Sequence, residues 1–439
     1  MKIIIHRGVN QIGGCITEIA TETAKIFIDL GHNLPKGDNP LADNRANQES
    51  IEKLVHNCNA IFYTHYHGDH IDLYKYVPET ILQYIGGIAK QVMICKSKRL
   101  AKIPDKTNIT EKDVEKLEAF RTFKAKDKIK IGDISVTPYF VSHSACDSYM
   151  FLIEAGGKTI LHTGDFREHG YLGKGLIPTL ETYIAKRNID VLITEGTMLS
   201  RLKEKVKHEN DLKIDAIKLL RRYKYSFILC SSTDIDRLAS FHEASKKSGR
   251  SFLCDSYQKE VLDIFTTNAI SELFKFDNAY FYKHHHEKQF VAIREKGFCM
   301  LVRSSQIKII KDLLESGYLP AEDTLLIYSM WDGYINENVK EGENIIQDYL
   351  NIWNLFKNKE KVHTSGHASS ETLAKVCELV NPKTAIIPIH SEHSEELINI
   401  VAEKQKEKII TASGEKDNIT IKILVTMPKM VGDFIKKIL

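Results

Sequence analysis

One short segment of the chain concentrates side chains that bind metal ions. Residues 64–70 read Thr-His-Tyr-His-Gly-Asp-His, which places three imidazoles and one carboxylate within six positions. Imidazole suits zinc and iron, and a carboxylate also suits harder divalent cations. The segment follows an apolar run at 60–63 that predicts a buried strand, and a strand end lies at the rim of a sheet. We therefore predict a metal site at this rim. Its candidate ligands here are His65, His67, Asp69 and His70.

Further candidate ligands follow other apolar runs. His143 comes directly after the run at 139–142, Asp165 after a Thr-Gly turn, and His390 after the run at 385–389. Each alone would more often be an ordinary polar residue at a sheet rim. All three end apolar strands, as His65 does, so we predict that they converge with the first segment and supply ligands for two metal ions.

The elements that must position these residues follow two patterns. The first two hundred residues show short strands separated by turns, with few helical stretches. From about 208 to 355 helices and strands alternate, which is typical of a parallel sheet with covering helices. A charged stretch at 201–207 precedes the change, and short motifs resume after about 360. Within the last part we expect a helix at 394–405 and a strand at 418–425. The sequence therefore predicts an α/β architecture with two different units.

Composition excludes several classes of protein. Hydrophobic residues make up 43% of the 439 residues and charged residues 27%, which is the balance of a globular protein rather than a disordered or fibrous chain. No stretch approaches the roughly 20 apolar residues of a membrane-spanning helix. No signal peptide is recognisable either, so we expect a cytoplasmic protein without a membrane partner. The net charge of +3 does not by itself indicate nucleic acid. The eight cysteines contain no C-x-x-C pair, and we expect reduced, buried thiols rather than a thiolate metal site.

These motifs resemble those of the metallo-β-lactamase superfamily in type and order. The segment 64–70, a later histidine and the Thr-Gly-Asp turn that ends at Asp165 follow the family pattern. Asp29, in Phe-Ile-Asp-Leu-Gly, is similar to the family carboxylate that orients metal ligands. The resemblance implies an α/β fold, the metallo-β-lactamase αββα sandwich.

Within that superfamily the chain resembles the nucleic-acid-processing β-CASP branch, and most closely ribonuclease J. Glu195 matches the acidic motif before the branch's inserted domain, His367 the histidine after it, and His390 the final histidine of RNA-processing members. Gly-Val-Asn-Gln-Ile-Gly-Gly at 8–14 looks like the glycine-rich opening of ribonuclease J. The resemblance implies a first metallo-β-lactamase part, an inserted β-CASP α/β domain and a second metallo-β-lactamase part. These regions are 1–205, 206–355 and 356–439.

The resemblance also implies a role for each candidate residue. It implies two zinc ions, with manganese as the alternative, that activate a hydroxide for attack on phosphorus. The implied ligands are His65, His67 and His143 for one ion and Asp69, His70 and His390 for the other, with Asp165 bridging. Asp69, Glu195 and His367 are the implied catalytic residues, with His367 as general acid and phosphate contact beside Glu195.

Other residues are candidate contacts for the substrate phosphates. Ser231 and Ser232 lie between a strand and a helix, where hydroxyls and backbone N–H groups can bind phosphate, although helix capping is an equally good interpretation. His363 and Ser365 belong to the turn that contains His367, which matches the family motif.

The leading hypothesis is a metal-dependent ribonuclease that acts on single-stranded RNA. It would be a 5′-to-3′ exonuclease, with endonuclease activity and a homodimer left open. A DNA-directed nuclease of the same branch is one alternative, which His390 disfavours by resemblance. A metallo-hydrolase of small esters is another, which an insertion covering the cleft disfavours. A catalytically silent RNA-binding protein is the third, although every ligand position is filled.

Overall fold

A computed structural model describes residues 1–34, 47–103, 108–283, 287–336, 346–412 and 419–422. The strands are β1 Lys2–Arg7, β2 Ile16–Ala20, β3 Lys25–Leu30, β4 Ala60–Phe62, β5 Leu82–Gly86, β6 Arg121–Phe123, β7 Ile129–Ile131, β8 Ile134–Val141, β9 Ser148–Ala155, β10 Lys158–His162, β11 Val191–Glu195, β12 Tyr225–Cys230, β13 Ser251–Cys254, β14 Ala279–Phe281, β15 Phe298–Val302, β16 Thr324–Ser329, β17 Asn358–Lys361, β18 Ala385–Ile389 and β19 Ile419–Lys422. The helices are α1 Gln48–Leu54, α2 Gly68–Ile71, α3 Gly87–Leu100, α4 Glu111–Glu118, α5 Leu176–Thr179, α6 Glu209–Arg222, α7 Ile235–Lys247, α8 Ser256–Asn268, α9 Glu287–Lys296, α10 Ile307–Glu315, α11 Gln347–Leu355, α12 Ser370–Val380 and α13 Glu403–Lys406.

Two mixed sheets pack face to face and form a sandwich. The first has the order β19-β1-β2-β3-β4-β5-β6, and the second β18-β11-β10-β9-β8-β7. Apolar side chains from both sheets fill the space between them, and the rings of Phe62 on β4 and Phe151 on β9 lie 6.0 Å apart. Helix α3 covers the outer face of the first sheet and α12 that of the second. The predicted αββα sandwich is confirmed.

A third sheet is built from residues between 225 and 361. Its order is β14-β13-β15-β12-β16-β17, and all of its pairings are parallel. Every residue of the central strands β12 and β16 is buried. Helices on both faces bury such strands, which is why they appear in the sequence as continuous apolar runs. The helix–strand alternation predicted for this part of the chain is confirmed.

The predicted helix at 394–405 is wrong. A 3-10 turn occupies Ser394–Asn399, and α13 begins only after the extended residue Ala402. Leu397 and Gln405 are both fully buried, and Gln405 donates to the Cys377 carbonyl at 2.6 Å. Tertiary packing therefore overrides the helical propensity of this stretch. Of the strand predicted at 418–425, residues 419–422 form β19, and the rest lies outside the described residues.

The strand directions place the candidate ligands at one edge of the sandwich. Strand β9 is antiparallel to both β8 and β10, while β11 is parallel to β10 and β18 to β11. Strands β8, β10, β11 and β18 therefore run in the same direction and end at one edge. In the first sheet β3 and β4 are likewise parallel. Among the described residues, no helix is long and apolar enough to cross a membrane.

Candidate metal centre

The candidate ligands converge on one carboxylate oxygen. Asp165 follows β10, and its Oδ2 lies within 4 Å of a ring nitrogen of five different histidines. These distances are 3.2 Å to His70 Nε2, 3.6 Å to His390 Nε2, 3.7 Å to His367 Nδ1, 3.8 Å to His143 Nε2 and 3.9 Å to His65 Nε2. The two remaining predicted ligands lie in the same cluster, because His67 Nδ1 is 3.1 Å from His143 Nε2 and Asp69 Oδ2 is 3.1 Å from His390 Nε2.

Hydrogen bonds on the outer side of the cluster orient the imidazoles. Asp29 Oδ2 accepts from His70 Nδ1 at 2.8 Å, and Asp29 also accepts from the backbone N–H and the hydroxyl of Thr64. The Gly366 carbonyl accepts from His143 Nδ1 at 2.7 Å. With Nδ1 engaged, the Nε2 atoms of His70 and His143 face Asp165. Such outer contacts fix the tautomer and ring orientation of metal ligands.

The backbone around the cluster adopts unusual conformations. Asp29 and His390 have φ values of 61° and 56°, in the left-handed region that side chains with a Cβ rarely adopt. Strained backbone of this kind is concentrated at functional sites. Gly31 approaches the metal-binding loop so closely that a Cβ there would lie 1.6 Å from the Asp69 carbonyl oxygen. This contact explains the glycine in the Phe-Ile-Asp-Leu-Gly segment.

The protonation states of three histidines and two carboxyls suit metal binding. Burial lowers the pKa of His67 to about 4 and holds the pKa values of His65 and His143 well below the ordinary value. These imidazoles are therefore neutral, which is the form that ligates metals. Burial acts to raise the pKa values of both carboxyls, but neighbouring histidines hold the pKa values of Asp69 and Asp165 below the usual range. Both groups are consequently ionised. His70 differs from the three histidines, because burial lowers its pKa but Asp165 and the other acidic groups around it raise the pKa well above the ordinary value.

Two buried nitrogen atoms indicate what the cluster is built to hold. Within the described part of the chain His65 Nε2 makes no hydrogen bond, and the contact of His70 Nε2 with Asp165 Oδ2 at 3.2 Å lacks hydrogen-bond geometry. A buried polar atom without a partner is costly and requires an explanation. A divalent cation supplies one, since neutral imidazoles and carboxylates are the donors that such ions take. The donor set therefore fits metal ions.

A carboxylate–histidine pair adjoins the cluster. Glu195, at the end of β11, has its Oε2 3.0 Å from His367 Nδ1. Its other oxygen accepts from the backbone N–H groups of Phe166 and Ala368, at 2.9 and 3.2 Å. Burial opposes protonation of His367, but Glu195 and Asp165 raise its pKa above the ordinary value. The pair thus favours the protonated form of the His367 imidazole beside Asp165.

The predicted phosphate contacts fall into two groups. Ser365 lies directly beside His367, whose backbone N–H donates to its Oγ at 3.1 Å. His363 Nδ1 faces Arg237 at 3.2 Å, and burial together with this arginine lowers the pKa of His363 to about 3. Ser231 and Ser232 follow β12 within the third sheet's unit. Neither caps α7, because Asp234 accepts from the Arg237 backbone N–H at that position.

Sequence reasoning missed a cluster of buried charges between the sandwich and the third sheet, termed here the buried charge cluster. Its members are Arg167, Glu209, Asp234, Asp236 and Arg237. Arg167 Nη2 lies 2.9 Å from Asp234 and 3.0 Å from Asp236, and Arg237 Nη2 lies 2.9 Å from Glu209. Arg237 also donates to the Thr364 carbonyl at 3.1 Å, which ties the cluster to the turn that contains His367.

A cysteine was missed as well. Cys15 Sγ, His70 and His390 present ligand atoms that all lie within 4.8 Å of one another. Cys15 is a free, buried thiol as predicted, but its position beside two candidate metal ligands was not predicted. A single cysteine after two glycines carries no spacing signal that would have identified it.

Comparison with known proteins agrees with this architecture. The model of the beta-lactamase superfamily domain matches residues 35–228, and that of the Zn-dependent metallo-hydrolase RNA specificity domain matches residues 357–412. A protein named ribonuclease J from Mycoplasma genitalium is 22% identical over 412 residues, covering 89% of this chain and 68% of that protein. Another with that name, from Sinorhizobium meliloti, is 25% identical over 286 residues, covering 62% of this chain and 48% of that protein.

A solved structure shares the fold over almost the whole chain. It is a protein of unknown function from Enterococcus faecalis, with a TM-score of 0.69 and 19% identity, and the match covers 96% of this chain and 99% of that one. The two domain models, the ribonuclease J relatives and the sandwich with its additional α/β unit together show that the chain is similar to ribonuclease J and has the metallo-β-lactamase fold.

Proposed function

We propose that this chain is a metal-dependent ribonuclease that hydrolyses RNA phosphodiester bonds with two zinc ions, or with manganese in their place. The observation that carries the proposal is the single Asp165 oxygen within 4 Å of five histidine rings. Such a carboxylate suits a bridge between two neighbouring cations. The match to an RNA specificity domain and the relatives named ribonuclease J support RNA as the substrate.

In this proposal two groups of side chains hold the ions. His65, His67 and His143 hold one ion; Asp69, His70 and His390 hold the other; and Asp165 bridges them. Two adjacent divalent ions supply an activated water nucleophile and neutralise charge on the phosphoryl oxygens. Asp29 orients His70 through the hydrogen bond to Nδ1.

His367 is proposed as the proton donor to the leaving 3′ oxygen. Its Nδ1 is engaged by Glu195, so Nε2 is the atom that remains for the substrate. Glu195 raises the pKa of the ring, and the backbone N–H groups of Phe166 and Ala368 hold the Glu195 carboxylate in place. Four residues are proposed to contact substrate phosphates, namely Ser365, His363, Ser231 and Ser232. Ser365 has the best support because it lies beside His367.

The proposal extends to direction of cleavage and organisation. We propose 5′-to-3′ exonuclease action on single-stranded RNA, with an additional capacity for internal cleavage. Residues 206–355 would form the inserted domain, and 1–205 and 356–439 the two parts of the catalytic domain. A homodimer is included in the proposal, and the mass of the native protein measured by light scattering tests it.

A cleavage time course tests the proposed activity. Single-stranded RNA labelled at its 3′ end, bearing either a 5′-monophosphate or a 5′-hydroxyl, is incubated with the metal-loaded protein. Loss of full-length RNA without labelled intermediates is expected for a processive 5′ exonuclease, whereas discrete labelled fragments indicate internal cleavage. His65→Ala and metal-depleted protein are the inactive controls.

Two further substrates separate the alternatives. Single-stranded DNA of the same sequence and a small chromogenic ester are offered under the same conditions. Cleavage of DNA but not of RNA, or of the ester alone, with two equivalents of metal bound would contradict the ribonuclease proposal.

A further inference from the structure

Cys15 lies inside the metal centre. Its Sγ and the ligand nitrogens of His70 and His390 lie within 4.8 Å of one another, and each of the three residues is only 1% exposed. No role has been given to this thiol so far. Sulfur, nitrogen and oxygen donors facing one buried point are the arrangement of a mixed-ligand metal site.

The backbone holds the thiol in this position. The Cys15 N–H donates to the Asp69 carbonyl at 3.0 Å, and the Cys15 carbonyl accepts from the Gly31 N–H at 3.0 Å. Gly8 packs against the sulfur so closely that a Cβ there would lie 3.1 Å from Sγ, and the Gly8 carbonyl accepts from the His390 N–H. Cys15 is thus tied to the two loops that carry Asp69 and His390.

The neighbouring imidazoles are held through their Nδ1 atoms, which leaves their Nε2 atoms facing the carboxylates of Asp165 and Asp69. His70 Nδ1 is occupied by Asp29, and His390 Nδ1 lies 2.8 Å from the Thr197 hydroxyl. His70 Nε2 is buried, and within the described part of the chain its contact of 3.2 Å with Asp165 Oδ2 lacks hydrogen-bond geometry. This unsatisfied nitrogen is an observation independent of the cysteine, and it indicates that a ligand belongs in the cluster that Sγ also adjoins.

We infer that Cys15 is a ligand, as a thiolate, of the metal ion held by His70 and His390. The inference rests on the proposed metal centre and adds a sulfur donor to it. On binding, the S–H proton leaves to solvent and a sulfur–metal bond forms, without change of oxidation state. Thiolate selects softer ions, so this position favours zinc over manganese, whereas the position of His65, His67 and His143 has nitrogen and oxygen donors alone.

Cobalt substitution tests the inference directly. Metal-free protein is loaded with Co²⁺, bound cobalt is quantified, and the near-ultraviolet spectrum is searched for a thiolate-to-cobalt charge-transfer band. The expected result is a band in the wild-type protein that is absent from Cys15→Ala. Cys377→Ala is the matched control, because Cys377 is fully buried in α12 away from the cluster, and it retains the band.

Metal selectivity gives a second readout. In competition with a chromophoric chelator, Cys15→Ala is expected to lose at least tenfold in affinity for one zinc equivalent, with less than threefold change for manganese. Equal losses for both metals would show a general disturbance of the site and overturn the inference.

The spectrum of the wild-type protein tests the thiolate assignment even if a variant fails to fold. Bound cobalt without a charge-transfer band, or a band that persists in Cys15→Ala, overturns the thiolate assignment. If such protein still cleaves RNA, only this inference fails. If no cobalt binds, the proposed metal centre fails together with it.

Discussion

At the scale of single residues, the metal centre depends on groups that never touch the substrate. Asp29 accepts three hydrogen bonds, two from Thr64 and one from His70 Nδ1. It therefore fixes both the start of the metal-binding loop and the ring orientation of one ligand. The left-handed backbone at Asp29, with φ 61°, is maintained by these contacts.

Asp29→Asn is expected to weaken metal binding by about 10- to 100-fold, the usual effect of losing such an outer contact. The amide keeps the size of the side chain but removes the charge that orients His70. Chelator competition measures the affinity. Asp133→Asn is the control, because Asp133 also accepts two side-chain hydrogen bonds but lies on the surface. Unchanged affinity in Asp29→Asn would contradict the role given to this carboxylate.

Asp165 and His143 should differ in how many ions depend on them. Because Asp165 Oδ2 adjoins histidines of both groups, Asp165→Ala is expected to lose both metal equivalents. His143→Ala removes a ligand from one group and is expected to lose one equivalent. Metal analysis by mass spectrometry after dialysis gives the stoichiometry. Equal stoichiometry in the two variants would exclude the bridging position.

A residue of the metal centre could be predicted from the sequence where the residues directly before it mark its position. His65, His143 and His390 could be predicted because each follows an apolar strand, and parallel strand ends meet at one edge. Cys15 could not, because its approach to His70 depends on backbone contacts to Asp69 that link distant parts of the chain.

At the scale of elements, the buried charge cluster joins the third sheet's unit to the sandwich. Arg237 on α7 contacts Glu209 on α6 and the carbonyl of Thr364 near His367. Arg167 lies two residues after Asp165 and contacts Asp234 and Asp236. Because all five charged groups are buried, none is free to move independently of the others.

Arg237→Met is expected to destabilise the protein by about 3–5 kcal/mol, because it leaves Glu209 with an incompletely compensated buried charge. The turn that carries His367 loses one of its hydrogen bonds, so kcat for RNA cleavage is expected to fall as well. Urea denaturation and steady-state cleavage measure the two effects. Lys218→Met, which breaks an exposed ion pair with Asp215, is the control and should change neither. Wild-type stability in Arg237→Met would show that the cluster does not hold the units together.

Asp236 gives this cluster a pH dependence. Burial raises its pKa to about 7, with Asp234 and Glu209 acting in the same direction and Arg167 opposing them. A pKa raised in the folded state contributes stability that is complete below the unfolded value, about 3.9, and is lost as pH rises to about 7. The urea midpoint of the wild type should therefore fall between about pH 4 and 7 more steeply than that of Asp236→Asn. Parallel curves for the two proteins would contradict this assignment.

Elements with strong local patterns were predictable, and those shaped by packing were not. Helices α6 and α7, at Glu209–Arg222 and Ile235–Lys247, lie where the sequence predicts alternating helices and strands. The expected helix at 394–405 failed because burial of Leu397 and Gln405 sets the local conformation. The charge cluster gave no signal, since arginine and aspartate on a helix ordinarily face solvent.

At the scale of the whole molecule, the strands of the third sheet have their carboxyl ends on the side of the metal centre. Strand β16 ends at Ser329, whose carbonyl accepts from Arg237, and Trp331 follows two residues later. Burial raises the pKa of Tyr334 to about 12, and the carboxylate of Asp69 adds to this effect, which places the tyrosine within electrostatic reach of the centre. In open parallel sheets, ligands bind outside these strand ends.

We expect Trp331 to stack on a nucleobase of bound RNA. Its side chain is 40% exposed, and its ring meets Tyr334 edge to face at 5.3 Å, which fixes its orientation. Stacking of one base on an aromatic ring is worth about 1–3 kcal/mol. Trp331→Ala is therefore expected to raise the Kd for single-stranded RNA by about 5- to 150-fold, whereas Trp331→Phe keeps most of the affinity.

The sequence contains only two tryptophans, so a variant that lacks one of them reports on the other alone. Tryptophan fluorescence therefore distinguishes base stacking on Trp331 from a general loss of structure. The second tryptophan, Trp353, packs against Tyr328 within the third sheet's unit. In Trp353→Phe the remaining signal comes from Trp331, and RNA added to metal-free protein should quench it. In Trp331→Phe the signal of Trp353 should stay constant. Quenching of Trp353 alone, or unchanged RNA affinity in Trp331→Ala, would place the path of the RNA on another face, because a base stacked at this strand end cannot leave Trp331 unaffected.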